Sequence, residues 1–268
     1  MFLKFLVILL FSFFLLNCTG NNSGSNNLSR EFQYKSPDQQ YKNAMLIFQN
    51  EQYDESSKIF KNIEKIYPLS NEAIQSQIML GFTDYILLDY DAAIFKFTKI
   101  IKKYPSLKNL DYVYYMKALC YYEQIADEGL DGRYNKLALE NLNQVITRFP
   151  KSKYAKDSYQ KIILVKSNIA AKHMSIGRFY QKEEKYTSAL NRYKIVVESY
   201  EETKFIPEAL YRISEIYLSL GMTEDSKKTA AILGHNYPDS EWYEYIYQNL
   251  NYENKKNLFS KSFDKFFN

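Results

Sequence analysis

Apolar and small residues recur along residues 37–243 in one fixed register. A small residue stands at Ser56, Ala93, Ala138, Ala189 and Ser226. Four residues on come Phe60, Phe97, Leu142, Tyr193 and Ala230, and three further on come Ile63, Ile100, Val145, Val196 and Leu233. Steps of four and then three place side chains on one stripe of an α-helix. Eleven residues after each small residue stands an aromatic one: Tyr67, Tyr104, Phe149, Tyr200 or Tyr237. Twelve residues before it, in four of the five units, stands a second small residue: Ala44, Gly81, Gly177 or Ser214. The third unit keeps this residue as Ala118, with eight residues inserted. Two small residues spaced this way let antiparallel helices approach closely, so each unit is predicted to be a helix-turn-helix. All six prolines (37, 68, 105, 150, 207 and 238) fall at unit starts or ends, where a missing N–H does no harm.

With small residues at these two places and proline near its end, the unit resembles the tetratricopeptide repeat. The expected fold class is therefore all-α, an α-solenoid of five tetratricopeptide-like hairpins over residues 37–243. Two irregularities are expected. Residues around Ile125 to Tyr134, with Gly129 and Gly132, form a loop within the third hairpin. The stretch between Pro150 and Gly177, free of Gly and Pro, opens the fourth hairpin with an unusually long helix. Residues 244–268 form a polar tail in which Phe259, Phe263, Phe266 and Phe267 alternate with Lys255, Lys256, Lys261 and Lys265. It reads either as an interaction helix or as a cap on the last hairpin.

The N-terminus has a different pattern. After Lys4 comes an apolar run from Phe5 to Leu16, then Asn17 and Cys18. The run has the length of a secretory h-region and is short for a bilayer span. With Leu15 three residues before Cys18, residues 1–17 resemble a lipoprotein signal, and Cys18 is the expected lipid-attachment site. Asn17 departs from the small residue preferred there. A plain secretory signal with an incidental cysteine, or an uncleaved anchor, is the alternative. Several acyl chains would hold a soluble domain firmly on a membrane. Thr19 is not the aspartate of an inner-membrane retention signal, so the expected location is the periplasmic face of the outer membrane. Residues 18–36, rich in Asn, Ser and Gly, read as a tether.

Composition narrows the function. The chain has 268 residues, 46% of them hydrophobic and 25% charged, which is globular composition. Only 8 glycines accompany 26 tyrosines and 18 phenylalanines, against a Gly-loop nucleotide fold or a Gly-rich sandwich. A net charge of +4 is too small and too evenly spread to mark a nucleic-acid footprint. Cys120 lies within an aromatic run and reads as a buried small hydrophobe. His173 and His235 are the only histidines, and neither stands at metal-ligand spacing. Nucleophile-elbow and phosphate-loop motifs are absent from the sequence. No metal, cofactor or enzymatic activity is expected.

In peptide-binding repeats of this kind, the groove is lined by the fifth, ninth and twelfth positions of each first helix. Here these are Tyr41, Met45 and Phe48, then Ile78, Phe82 and Tyr85, then Tyr115, Leu119 and Tyr122. The last two hairpins supply Met174, Arg178 and Gln181, then Tyr211, Glu215 and Leu218. An apolar N-terminal strip thus gives way to a more polar C-terminal surface. Because Gln40, Asn43, Gln77 and Asp84 occupy the usual core positions, the strip reads equally as a core formed by rotated helices.

Specific segments carry a closer resemblance. Asp111-Tyr112-Val113-Tyr114-Tyr115-Met116-Lys117-Ala118-Leu119 is similar to a D-Y-x-x-Y-M-x-x-L motif, and Pro150-Lys151-Ser152-Lys153-Tyr154 to P-x-S-x-Y. Asn191-Arg192-Tyr193, with the ending from Ala231 to Pro238 and Ser240 to Tyr243, adds to it. These segments resemble the BamD family of outer-membrane β-barrel assembly lipoproteins. The resemblance implies a scaffold that docks the POTRA domains of BamA through its C-terminal hairpins. It also implies that the N-terminal half engages unfolded outer-membrane β-barrel proteins or another lipoprotein of the machinery. Asn191, Arg192 and Arg178 are the residues it implies on the POTRA side, with Lys99 and Lys102 as supporting basic positions. Tyr41, Phe48, Phe82, Tyr85, Tyr115 and Tyr122 are the candidates for the N-terminal groove. Glu198 stands where some relatives carry an arginine. The rival reading is another periplasmic repeat scaffold, coordinating cell-envelope or peptidoglycan synthesis.

Overall fold

The computed structural model describes residues 36–125 and 132–251. The signal, Cys18, nearly all of the tether, Gly129 and the Phe/Lys end of the tail lie outside these residues. The described residues form eleven helices and no strand. They are α1 (Pro37–Gln49), α2 (Tyr53–Ile66), α3 (Asn71–Ile86), α4 (Tyr90–Lys103), α5 (Leu110–Tyr122), α6 (Arg133–Arg148), α7 (Lys153–Lys182), α8 (Tyr186–Ser199), α9 (Ile206–Ser219), α10 (Thr223–Asn236) and α11 (241–251). The predicted long helix is α7, with 30 residues. Arg133 and Tyr134, placed in the inserted loop by sequence, already belong to α6.

The chain divides into two compact units, one ending at Thr83 and the other beginning at Asp84. In the first, Ala44, Ile59, Phe60, Ile63, Ala73 and Leu80 form the core, and Tyr41, Met45, Ile47, Phe48 and Met79 pack against it. In the second, consecutive helices pack in antiparallel pairs from α4 to α10, and α5 also meets α7. The sequence register is the buried stripe. Phe60, Phe97, Leu142 and Tyr193 are fully buried, as are Ser56, Ala93, Ala138, Ala189 and Ser226. The close approach of paired helices is direct at one hairpin, where the Ser214 hydroxyl donates to the Ser226 carbonyl at 2.8 Å. The packed array runs past Tyr243, because α11 buries Ile246 completely in the core of the last hairpins.

Each second helix ends on its aromatic residue. Tyr67, Tyr104, Phe149, Tyr200 and Tyr237 all leave the helical region, with φ between −123° and −139° and ψ between 39° and 64°. Four are followed by proline, which disfavours the α conformation at the residue before it. Tyr200 precedes Glu201 and adopts the same conformation, so packing sets this exit even without proline. The turns inside the hairpins are also alike. Glu51, Leu88, Glu184 and Gly221 all have positive φ, from 57° to 74°. The following N–H closes back five residues in each, as from Gln52 to Ile47 and from Met222 to Tyr217. This is a left-handed helix cap, normally a glycine position. Only one of the four turns uses glycine.

Cys120 is buried, and burial pushes its thiol up to about 12. At neutral pH it is a protonated, unreactive packing residue.

Candidate functional site

The six aromatic candidates divide between the two units. Within the first, the Tyr41 ring lies 5.7 Å from Phe60, and Phe48 lies 5.1 Å from Tyr53 and 5.9 Å from Phe82. Tyr41, Phe48 and Phe82 are half-buried. Tyr41 and Phe48 flank the core of the first hairpin. Gln40, at a usual core position, is nonetheless buried at 1% exposure, and its amide donates to the Tyr67 hydroxyl at 3.5 Å. Asn43 is exposed. Helix α1 therefore buries both Gln40 and part of its aromatic flank.

In the second unit, α5 and α7 share a tyrosine-rich face. The Tyr115 ring stacks on Tyr154 at 4.9 Å, and its hydroxyl donates to Asp157 at 2.5 Å. Burial first, and then the Asp157 carboxylate, holds the Tyr115 phenol well above its usual range. The Lys161 ammonium lies 5.2 Å above the Tyr122 ring and 3.4 Å from Asp157. Tyr85 donates to Glu123 at 3.3 Å, and burial together with this carboxylate raises its phenol as well. Tyr115 and Tyr85 thus have their hydroxyls tied to carboxylates. Asp157 and Lys161 were not singled out by sequence, and Tyr154 only as part of the P-x-S-x-Y segment. Their spacing of three and four residues on α7 was the available signal.

The arginine candidates separate. Arg178, near the end of α7, holds Glu208 of α9 through one nitrogen at 2.9 and 3.1 Å from the two carboxylate oxygens. Around this pair Gln181 donates to Glu215 at 2.7 Å, and Arg212 reaches Glu215 at 3.0 Å. Tyr211 donates to Glu215 at 3.0 Å, and burial and that carboxylate push its phenol up to about 12. The Arg212 guanidinium also lies over the Tyr211 and Trp242 rings, at 5.2 and 5.6 Å. This network ties α7 to α9 and closes the end of the array.

Arg192 sits differently. It is half-buried on α8, and its guanidinium meets the Nδ1 of His173 on α7 at 3.5 Å. Among the described residues, it forms no ion pair with a carboxylate. His173 in turn stacks on Tyr200 at 6.0 Å. Burial first, then the charges of Arg192 and Lys172, holds the imidazole below its ordinary value. Arg178 lies five residues from His173, about 140° further around α7 at 3.6 residues per turn, so Arg178 and Arg192 face different ways. Asn191 is exposed beside Arg192, and Lys99 and Lys102 are exposed on α4. No helix among the described residues is long and apolar enough to cross a membrane.

The pH dependence of this cluster has a definite sign. Folded His173 binds its proton more weakly than the unfolded chain does, so the unfolded state is protonated first as pH falls. Its contribution to stability is complete above the ordinary value of 6.5 and is lost as pH falls from there through the depressed folded value. Melting curves across this window are expected to fall less steeply for His173→Gln than for the wild type. Parallel curves would remove His173 as a source of the dependence.

Comparison with known proteins adds a family. Residues 33–233 match the family model YfiO, described as outer membrane lipoprotein. The outer membrane protein assembly factor BamD of Caulobacter vibrioides is 37% identical over 199 residues, 74% of this chain and 65% of that protein. Its counterpart in Rickettsia prowazekii is 35% identical over 215 residues, 80% of this chain and 86% of that one. Among solved structures, a thermophilic TPR protein of Thermus thermophilus aligns with a TM-score of 0.39 at 17% identity, covering 80% of this chain and 98% of that one.

Proposed function

The chain belongs to the YfiO family of outer-membrane lipoproteins, and on that premise we propose that it is an outer-membrane protein assembly factor acting as a non-enzymatic scaffold. In this reading Cys18 carries the lipid anchor, and the helical array works at the periplasmic face of the outer membrane. The C-terminal hairpins dock the POTRA domains of a BamA-type partner. The tyrosine-rich N-terminal half receives unfolded β-barrel proteins or another lipoprotein of the machinery. Tyrosine suits the second task, because it offers large contact area with few rotatable bonds and tolerates varied sequences.

The observation that carries the docking part is the contrast among arginines. Arg178 and Arg212 already hold Glu208 and Glu215, whereas the guanidinium of Arg192 faces a neutral imidazole. A guanidinium presents a planar fork that matches a carboxylate in two bonds, giving orientation as well as affinity. An acidic residue on a POTRA domain would supply to Arg192 what Glu208 supplies to Arg178. Asn191, exposed beside it, extends the same contact. Lys99 and Lys102 remain supporting basic positions, with charge but no fork.

Titration of purified POTRA domains into the full chain tests this. Arg192→Glu is expected to weaken binding about tenfold, the order of one well-placed half-exposed ion pair. Arg178→Ala is expected to act mainly on stability, because it leaves Glu208 short of a partner. Unchanged affinity for Arg192→Glu would remove that residue from the docking surface.

A further inference from the structure

Helix α7 has 30 residues, while α6 and α8, which pack along it, have 16 and 14. At 1.5 Å per residue α7 is roughly 45 Å long, and its two neighbours are roughly 24 and 21 Å. Each neighbour is tied to one end of α7 by a short turn, so the start of α6 and the end of α8 converge over its middle. They leave a cleft there of about 430 Å³, lined by residues that include Asn135, Lys136 and Leu139 of α6, Ile169 and Lys172 of α7, and Tyr200 at the end of α8.

Three features of the cleft point to a peptide. Its floor is apolar, formed by Leu139 and Ile169. Its lining is more basic than acidic: Lys136 is exposed and lies 3.9 Å from Glu140, Lys172 also lines the cleft, and Glu140 is the one acidic residue there. Asn135 in the lining adds a polar side chain whose Oδ1 is buried without a hydrogen-bond partner among the described residues. The cleft is also continuous with the proposed docking residue, since Tyr200 in its wall stacks on His173, which meets Arg192.

We propose that this cleft is a second anchor point for the POTRA-bearing partner, taking an extended segment that places an apolar side chain over Leu139 and Ile169 and a carboxylate between Lys136 and Lys172. The inference rests on the docking function proposed above. It makes the α6–α7–α8 junction a two-pronged surface, with an ion pair at Arg192 and an apolar plug one helix end away. Buried apolar anchors beside charged rims are the usual source of interface energy.

The experiment is the same titration of purified POTRA domains into the full chain, with two further variants. Ile169→Trp fills the cleft, and Lys136→Glu reverses one rim charge on an exposed side chain. The expected result is about tenfold weaker binding for Ile169→Trp and about threefold weaker for Lys136→Glu, with melting temperatures unchanged. Should Ile169→Trp fail to fold, Lys136→Glu decides alone. Wild-type affinity in both, with Arg192→Glu still impaired, would overturn the cleft and leave the docking reading standing. Wild-type affinity in all three would overturn both. An anionic lipid is the rival occupant: if Lys136→Glu reduces flotation with vesicles of phosphatidylethanolamine and phosphatidylglycerol but leaves POTRA binding intact, the peptide assignment is overturned.

Discussion

Gly177→Ala is expected to lower the stability of the second unit by about 2 kcal/mol, although alanine is the better helix former. Two terms oppose each other. Replacing a mid-helix glycine by alanine gains about 1 kcal/mol of helix propensity. Against this, a Cβ at position 177 would stand 2.5 Å from Cε1 and 2.9 Å from Cδ1 and Cζ of Tyr193. That ring is fully buried in the core of the last hairpins, and its hydroxyl is held by Gln181 at 2.9 Å. It has no free end to swing aside, so α7 and α8 must part. Overpacking of this kind costs about 1–3 kcal/mol; contacts this short on a fixed ring put it near the upper end, which leaves about 2 kcal/mol after the propensity gain. The midpoint of thermal unfolding should drop by roughly 4–8 °C. Gly132→Ala is the control, since no described residue lies within 4 Å of a Cβ there. Combining Gly177→Ala with Tyr193→Leu should cost less than the two changes summed, because the smaller side chain relieves the clash. An unchanged midpoint in Gly177→Ala would show that the two helices do not need their closest approach.

Phe48→Ala is expected to destabilise the first unit by about 2–3 kcal/mol, below the range for a fully buried phenylalanine because the ring is half-exposed. Its ring packs on Tyr53 and Phe82 and flanks the core of Ala44, Phe60 and Ile63. Tyr122→Ala should cost less than about 1 kcal/mol, because that ring is only half-buried and its partner is the Lys161 ammonium above it. Hydrogen exchange read helix by helix separates these outcomes. Lost protection across α1 and α2 in Phe48→Ala assigns the first-unit aromatics to packing. Preserved protection, with poorer capture of an unfolded β-barrel segment, would assign Phe48 to a groove. For Tyr122→Ala the expectation is reversed: protection is retained and substrate capture weakened.

The two results bear on why the aromatic strip was ambiguous in sequence. The fifth and twelfth positions of a first helix point to the same side whether that side faces a groove or a neighbouring helix. Gln40 in a usual core position argued for rotation, yet Gln40 is buried and Tyr41 is also partly covered. The helix carries contacts over a wide arc, and periodicity alone does not say which part of the arc is covered.

The arginines show the same limit in electrostatic form. Arg178, Arg192 and Arg212 are alike as letters. Their difference lies in what stands opposite: Glu208, thirty residues from Arg178, or His173, nineteen residues from Arg192. The left-handed turns at Glu51, Leu88 and Glu184 escaped sequence reading for a related reason, since hairpin packing holds ordinary residues where glycine is the usual signal. The cleft over α7 could not be read at all, because it depends on where two helices end along a third.

What the sequence determined by itself is the repeating part of this protein: the hairpin register, the small residues at helix crossings, the four aromatic exits that proline follows and the length of α7. These follow from helical period, side-chain volume and the backbone limits of proline, all of which act within a few turns of chain. Tertiary structure alone decided which tyrosines are core and which are surface, which of Arg178, Arg192 and Arg212 has no carboxylate partner among the described residues, and where a pocket opens. Those properties belong to pairs of residues far apart in sequence, and burial and charge pairing exist only once the helices have packed.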